Sequence, residues 1–310
     1  MEIDVIIPLY KPDKTLFALI EMLNRQTVPV NRIILMNTEQ KYFEQLMYGV
    51  RLKERYRNVE VVHLSQREFD HGGTRKQAVS KSKADVVVLM TQDAMPKDEM
   101  LLEKLTQHLT NEANNKIAAA YGRQLAKENS SILEHFSRMF NYPEKSRIKT
   151  QQDLPTLGIK TYFCSNVCAA YRRDIYNELG GFVKHTIFNE DMIFAAGAIK
   201  AGYAISYEAE AQVYHSHDYT NSQQFKRNFD LGVSQAQFPE IFRDVPSESE
   251  GKKLVKEVTA HLRKKKMMRK LPYFYMQCAS KYAGYLLGRH YRILPHWLVL
   301  KCTASRYYWK

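Results

Sequence analysis

Short apolar runs recur along the first third of the chain, each followed by a stretch of mixed polarity. Ile3 to Pro8 (IDVIIP) is the first, then a helical pattern from about Thr15 to Gln26, then a second run, Arg32 to Met36 (RIILM). A third, Val59 to Leu64, precedes a polar loop, and a fourth, Asp85 to Met90 (DVVVLM), follows another helical segment. The runs are rich in β-branched residues and apolar at successive positions, as strands covered on both faces are. Alternation with helices predicts βαβ units, hence an α/β fold with a doubly wound, mostly parallel nucleotide-binding sheet.

Ligands of such sheets bind beyond the carboxyl ends of the strands. The segments to inspect are therefore Leu9-Tyr10-Lys11, Asn37-Thr38-Glu39, the loop from Phe69 to Arg75, and Thr91-Gln92-Asp93. Between Asn129 and Thr161 the pattern is irregular and polar. Beyond it come a run from Tyr162 to Tyr171, a helix from about Arg173, the pair Gly180-Gly181, and a helix from about Glu190 to Ala201. The polar, turn-rich stretch Pro246 to Gly251 divides a domain at 1–245 from a basic, aromatic segment at 246–310.

At 310 residues the chain suits one large α/β domain with an appendage. A composition of 45% hydrophobic and 25% charged residues excludes a disordered chain. The amino terminus shows no basic region followed by an apolar core and a cleavage site, so no export signal is expected. Cys164, Cys168, Cys278 and Cys302 lack the CxxC pairing of zinc sites or a disulfide framework, which fits a reducing, cytoplasmic compartment. The formal net charge is +13. From Gly251 to Lys310 there are 15 Lys or Arg and one acid, Glu257, so the basicity belongs to the final segment and the rest is close to neutral.

Four groups of residues carry candidate chemistry. Asp93 follows an apolar strand: it either begins a divalent-cation site at the ligand edge of the sheet or caps a helix near Pro96. In Asp70-His-Gly-Gly-Thr-Arg75 two glycines precede a helix, which suits an anion with Arg75 beside it, or is a plain turn. Glu190-Asp191 either cap a helix or supply a general base. His215 and His217 alternate as on a strand, so both face one side, as structural imidazoles or as metal ligands completing a site begun by Asp93.

Taken in order, IIPLYKP (6–12), FDHGGTRKQA (69–78), MTQDA (90–94), CSNVCAAYRRDIYNELGGF (164–182), FNEDM (188–192) and VYHSHDYT (213–220) resemble the family 2 glycosyltransferases. The likeness is greatest to their bacterial rhamnosyltransferase branch and covers roughly residues 1–235. It implies a GT-A fold, a nucleoside-diphosphate sugar donor and single-displacement inversion at the anomeric carbon. It places Pro8, Tyr10 and Asn37 at the nucleoside, Arg75 and Gln92 at the donor, and Asp93 on Mg²⁺ or Mn²⁺ against the diphosphate. Asp191 matches the family's base, with Glu190, Ser165 and Asn166 toward the acceptor. His215, or His217, matches its downstream metal histidine. FDHGGTR and HSHDYT point to dTDP-rhamnose. Thr91 stands where the family has the first Asp of its DxD motif, and Asn37-Thr38-Glu39 where it has Asp-Asp-Gly, so the metal and nucleobase contacts are expected to differ.

The final segment interleaves Lys and Arg with Tyr, Phe and Trp, which suits the anionic inner face of the cell membrane. No apolar run approaches the ~18 residues that span a bilayer. Peripheral attachment there would bring the site beside a polyprenyl-diphosphate-linked glycan acceptor; a solvated basic helix and an oligomer contact are the other readings of the same charges. Binding of nucleic acid explains the charge but not the acidic and His motifs of a neutral body. A nucleotidyltransferase would carry a glycine-rich Arg/Lys loop after the first strand, where LYKPDK stands. A sugar-nucleotide-binding scaffold without catalysis is the remaining alternative.

Overall fold

A computed structural model describes residues 1–48, 50, 52–109, 116–243, 245 and 248–309. The apolar runs become strands β1 (Ile3–Tyr10), β2 (Arg32–Thr38), β3 (Val59–Leu64) and β4 (Val86–Met90), with helices Thr15–Asn24 and His71–Ser80 among their connections. The later strands are β5 (Met95–Pro96), β6 (Ile117–Leu125), β7 (Arg147–Lys149), β8 (Cys168–Arg172) and β9 (Ala204–Tyr214). They form one sheet in the order β3-β2-β1-β4-β8-β6-β9-β5, with β7 paired to β9. β1 to β4 are mutually parallel, β8 is antiparallel to both its neighbours, and β6 and β9 are parallel.

Period-two geometry explains the continuous apolar runs. Val5, Ile7 and Leu9 face one core while Ile6 faces the other, and Val86 and Val88 divide from Val87 and Leu89 in the same way. The chain winds outward from β1 to β3 and then returns to β4 on the other side of β1. That makes the crevice beyond the carboxyl ends of β1 and β4 the topological switch point where ligands bind. Tyr10 and Gln92 close it by exchanging bonds: the Tyr10 N–H donates to Gln92 Oε1 at 2.9 Å, and Gln92 Nε2 donates to Tyr10 O at 3.1 Å.

Two local expectations are corrected. The polar stretch after Asn129 is ordered, with helix Ile132–Asn141 started by Ser131, whose hydroxyl accepts from the Glu134 N–H. Gly72 and Gly73 lie within the first turn of the His71–Ser80 helix, where Asp70 caps the Gly73 N–H, rather than in a loop before it. Gly72 is required by space against backbone, and Gly73 leaves room for the Asp70 carboxylate that caps it. A Cβ on Gly72 would meet Val183 O at 1.9 Å, and one on Gly73 would meet Asp70 Oδ1 at 2.8 Å.

Pro246 and Ser247 of the expected boundary lie outside the described residues. The residues after them form helices Glu248–Lys264, Leu271–Arg289 and His296–Cys302. Leu271–Arg289 packs on helix Asn221–Gln237 with its backbone nearly touching: a Cβ on Gly284 would lie 2.2 Å from Phe225 O, and one on Gly288 would lie 2.0 Å from Phe229 O. Lys160 and Glu250, 3.0 Å apart, tie the Glu248–Lys264 helix to the preceding body.

Candidate active site

Asp93 sits in the turn after β4. Met95 and Pro96 continue as a strand antiparallel to β9, pairing Tyr214 and Val213, so Asp93 precedes a strand and does not cap a helix. This register delivers Asp93 to the residues just past the end of β9. His217 Nε2 lies 3.0 Å and His215 Nε2 3.5 Å from Asp93 Oδ2, and the two Nε2 atoms are 3.1 Å apart. One oxygen and two nitrogens suited to a divalent metal thus converge within 4.8 Å.

The surroundings tune these ligands. Gln124 on β6 is buried, and its Nε2 donates to Ser165 Oγ at 3.0 Å. Its Oε1 accepts from the Arg138 guanidinium and faces His215 Nδ1 at 2.9 Å. An acceptor there requires the proton on Nδ1, which leaves the Nε2 lone pair aimed at Asp93. Burial holds His215 below the ordinary imidazole range against the pull of Asp93, so it stays neutral. Burial would raise the Asp93 carboxyl, but the surrounding His215 and His217 side chains outweigh it and keep the carboxyl well below the usual carboxylate range. An ionised carboxylate and a neutral imidazole are the forms that bind metal.

The second acidic group stands at the start of helix Glu190–Lys200, where the helix dipole favours carboxylates. Asn166 grips both acids: its N–H donates to Asp191 Oδ2 at 2.9 Å and its Nδ2 to Glu190 Oε1 at 3.0 Å. The Tyr171 hydroxyl donates to Asn166 Oδ1 at 2.7 Å and so sets the amide's orientation. Asp191 Oδ1 accepts from the Met192 N–H at 2.8 Å. Arg75, buried in the His71–Ser80 helix, lies 3.2 Å from Glu190 Oε1 and donates to His71 O at 2.9 Å.

The two acids are driven apart in acidity. Burial would raise Glu190, but the Arg75 charge beside it, helped by the hydrogen bond from the Asn166 amide, outweighs burial and keeps Glu190 ionised. Burial and then the neighbouring Glu190 charge push Asp191 up to about 7. Two carboxyls divided in this way suit one fixed charge and one proton acceptor working near neutrality.

At the carboxyl end of β1, Tyr10 is exposed and meets Tyr42 edge to face at 5.8 Å. Pro8, one pair before Leu9 and Asn37 in the β1–β2 ladder, is partly exposed. Asn37 is buried and its Nδ2 contacts His63 Nδ1 at 2.9 Å, while Asn37 Oδ1 and Thr38 Oγ1 have no partner among the described residues. Tyr10, Thr38, Asp70 and His71 line a cleft of about 350 Å³.

The structure therefore brings Asp93, His215 and His217 into one cluster, and Arg75, Asn166, Glu190 and Asp191 into another. Ser165 joins them, bonded through its hydroxyl to Gln124 and through the chain to Asn166. Gln124 and Arg138 escaped sequence reasoning because neither stands in a motif; Tyr171 lies within the 164–182 segment, but its part in orienting Asn166 is a contact made only by folding.

The sequence profile described as glycosyl transferase family 2 matches residues 4–180. The O-antigen chain rhamnosyltransferase RfbN of Salmonella typhimurium is 37% identical over 311 residues, covering 100% of this chain and 96% of that protein. WbaN of Salmonella anatum, another O-antigen chain rhamnosyltransferase, is 42% identical over 251 residues, covering 80% of this chain and 78% of its own. Among solved structures, the mannosyltransferase PcManGT of Pyrobaculum calidifontis, in complex with GDP-Man and Mn²⁺, superposes with a TM-score of 0.62 at 13% identity, covering 93% of this chain and 87% of that one. Staphylococcus aureus TarS 1–349 with UDP-GlcNAc gives 0.52 at 14%, covering 94% and 92%. These structural likenesses establish the GT-A fold. With the fold, the two acidic clusters and the matched sequence in agreement, the chain belongs to glycosyl transferase family 2 and is a glycosyltransferase.

Proposed function

We propose that the protein is an inverting rhamnosyltransferase, moving rhamnose from dTDP-rhamnose to a hydroxyl of a polyprenyl-diphosphate-linked glycan at the cytoplasmic face of the cell membrane. The observation that carries the mechanism is Asp191: a carboxyl held by two backbone N–H groups, with an acidity near neutrality, one residue from the ionised Glu190. The rhamnosyl reading draws on relatives that match the chain along its length.

In a single displacement the acceptor oxygen attacks the anomeric carbon while the bond from that carbon to the diphosphate oxygen breaks. The acceptor proton passes to Asp191, and the bonding pair leaves with the nucleoside diphosphate. Asn166 fixes the direction of the carboxylate, and Glu190 keeps it basic enough to take the proton. Ser165, Asn166 and Glu190 lie where the acceptor must come, beside the base. Arg75 acts in this reading by holding Glu190 ionised, and Pro8, Tyr10, Asn37 and Gln92 bound the nucleoside.

Asp93, His215 and His217 fit Mg²⁺ or Mn²⁺, since three suitable ligand atoms converge and Gln124 orients one of them. Such an ion supplies positive charge to the departing diphosphate.

Attachment to the membrane is supported by the outer surface of the final segment. Tyr282, Ile293 and Trp297 are 54, 81 and 59% exposed, among many Lys and Arg. Among the described residues no helix is long and apolar enough to cross a bilayer. The test is a panel of UDP-, GDP- and dTDP-sugars with Mn²⁺ or Mg²⁺ and a lipid-linked acceptor, scored for nucleotide release. Release from dTDP-rhamnose alone is expected; release from another donor only would overturn the rhamnosyl reading.

A further inference from the structure

The chain's last described residues fold back onto helix Asn221–Gln237 and the segment at His185. The Thr303 hydroxyl donates to Asp230 Oδ1 at 2.6 Å and the Ala304 N–H donates to Asp230 Oδ2 at 3.1 Å, so one buried carboxylate on helix Asn221–Gln237 pins the start of the strap. At its far end the Tyr308 hydroxyl donates to His185 O at 3.1 Å and pairs with the Gln237 amide, whose Nε2 lies 2.9 Å away. Between these anchors, residues 304–307 form a wall of the cleft whose other wall holds Tyr10 and Thr38.

The two walls are chemically complementary to one kind of ligand. The sheet side offers an exposed aromatic ring at Tyr10 and a buried hydroxyl, Thr38 Oγ1, with no partner among the described residues. The strap side offers Tyr307 and the exposed Arg306, whose Nε donates to Leu300 O at 3.1 Å and whose guanidinium has no acidic partner among the described residues. Asp70, the acid in the cleft, is turned to the Gly73 N–H as a helix cap. Aromatic faces, an orphan hydroxyl and a free cation across a narrow cleft are what a nucleoside diphosphate takes.

We propose that the 304–308 strap is part of the donor site, with Arg306 neutralising donor diphosphate and Tyr307 packing on the nucleoside. This inference rests on reading the cleft as the donor site. It gives the carboxyl-terminal segment a role in substrate binding in addition to any at the membrane. Neither residue lies within the matched span 4–180, so the motifs there do not contain this contact.

Calorimetric titration of the full chain with dTDP, UDP and GDP and their nucleosides, with donor KM and kcat, tests it on wild type, Arg306→Gln and Tyr307→Ala. For the nucleotide the wild type binds, Arg306→Gln is expected to raise Kd and donor KM about tenfold, with kcat nearly unchanged and nucleoside binding unaltered. Tyr307→Ala is expected to weaken nucleoside and nucleotide alike. Unaltered nucleotide Kd and donor KM in both variants, with wild-type melting temperatures, would overturn the strap's role while leaving the donor cleft standing. A further variant, Tyr10→Ala, separates the two: if it too leaves nucleotide Kd and donor KM unaltered in an enzyme that turns over sugar nucleotide, the cleft reading itself is overturned.

Discussion

Asn166 donates its backbone N–H to Asp191 Oδ2 at 2.9 Å, and the same residue's amide holds Glu190. The proposed base, Asp191, and the Glu190 charge beside it are thereby fixed to one point of the chain, just ahead of β8. Tyr171, on β8, locks the amide from behind. Rigid placement of this kind is how a carboxyl remains within reach of an acceptor hydroxyl.

The first expectation concerns pH. Asp191 must be ionised to accept a proton, and it loses its own proton as pH rises through about 7. kcat/KM should therefore climb from pH 5 to pH 8, with an acidic limb near neutrality. Glu190→Gln removes the charge that raises Asp191 and should move that limb to lower pH while reducing the rate. A profile flat across this interval would exclude Asp191 as the titrating base.

A second concerns the metal ligands. Gln124→Ala removes the acceptor that orients His215 without touching a ligand, and should weaken Mn²⁺ binding about 10- to 100-fold. Electron paramagnetic resonance of Mn²⁺ titrated with protein, without donor, measures this. Unchanged affinity in both Gln124→Ala and His215→Ala would place the metal elsewhere.

Helix packing supplies a third. A Cβ at Gly288 would stand 2.0 Å from the backbone oxygen of Phe229, so Gly288→Ala must push apart helices Asn221–Gln237 and Leu271–Arg289. A loss of about 1–3 kcal/mol by chemical denaturation is expected. A change within about 0.5 kcal/mol would mean that the contact relaxes freely.

For the membrane, replacing Lys264, Lys265 and Lys266 by Gln should weaken binding to vesicles containing anionic lipid, by ~1 kcal/mol for each charge. Co-sedimentation measures it, and added salt should weaken the wild type similarly. Equal binding to neutral and anionic vesicles would contradict the electrostatic account.

Much of the architecture was legible because β1, β2 and β4 are buried on both faces and so read as apolar runs, while β3, at the sheet edge with Glu60 and His63 in it, is only partly covered. Helix Ile132–Asn141 was not, although the Ser131-x-x-Glu134 spacing is a recognisable helix start. His215 and His217 were placed on a strand; they lie beyond the end of β9, and it is the β5–β9 register that brings both to Asp93. Gln124 carried no local signal, since its value lies in reaching His215, Ser165 and Arg138, partners 14 to 91 residues away.

The most direct test of the account is the rate and stereochemistry of sugar transfer from dTDP-rhamnose to a lipid-linked acceptor by wild type and Asp191→Asn. The account predicts a product with inverted anomeric configuration and a loss of about 10²–10⁴ in kcat in the variant, with donor binding retained. A retained configuration, or a variant that transfers at the wild-type rate, would contradict it.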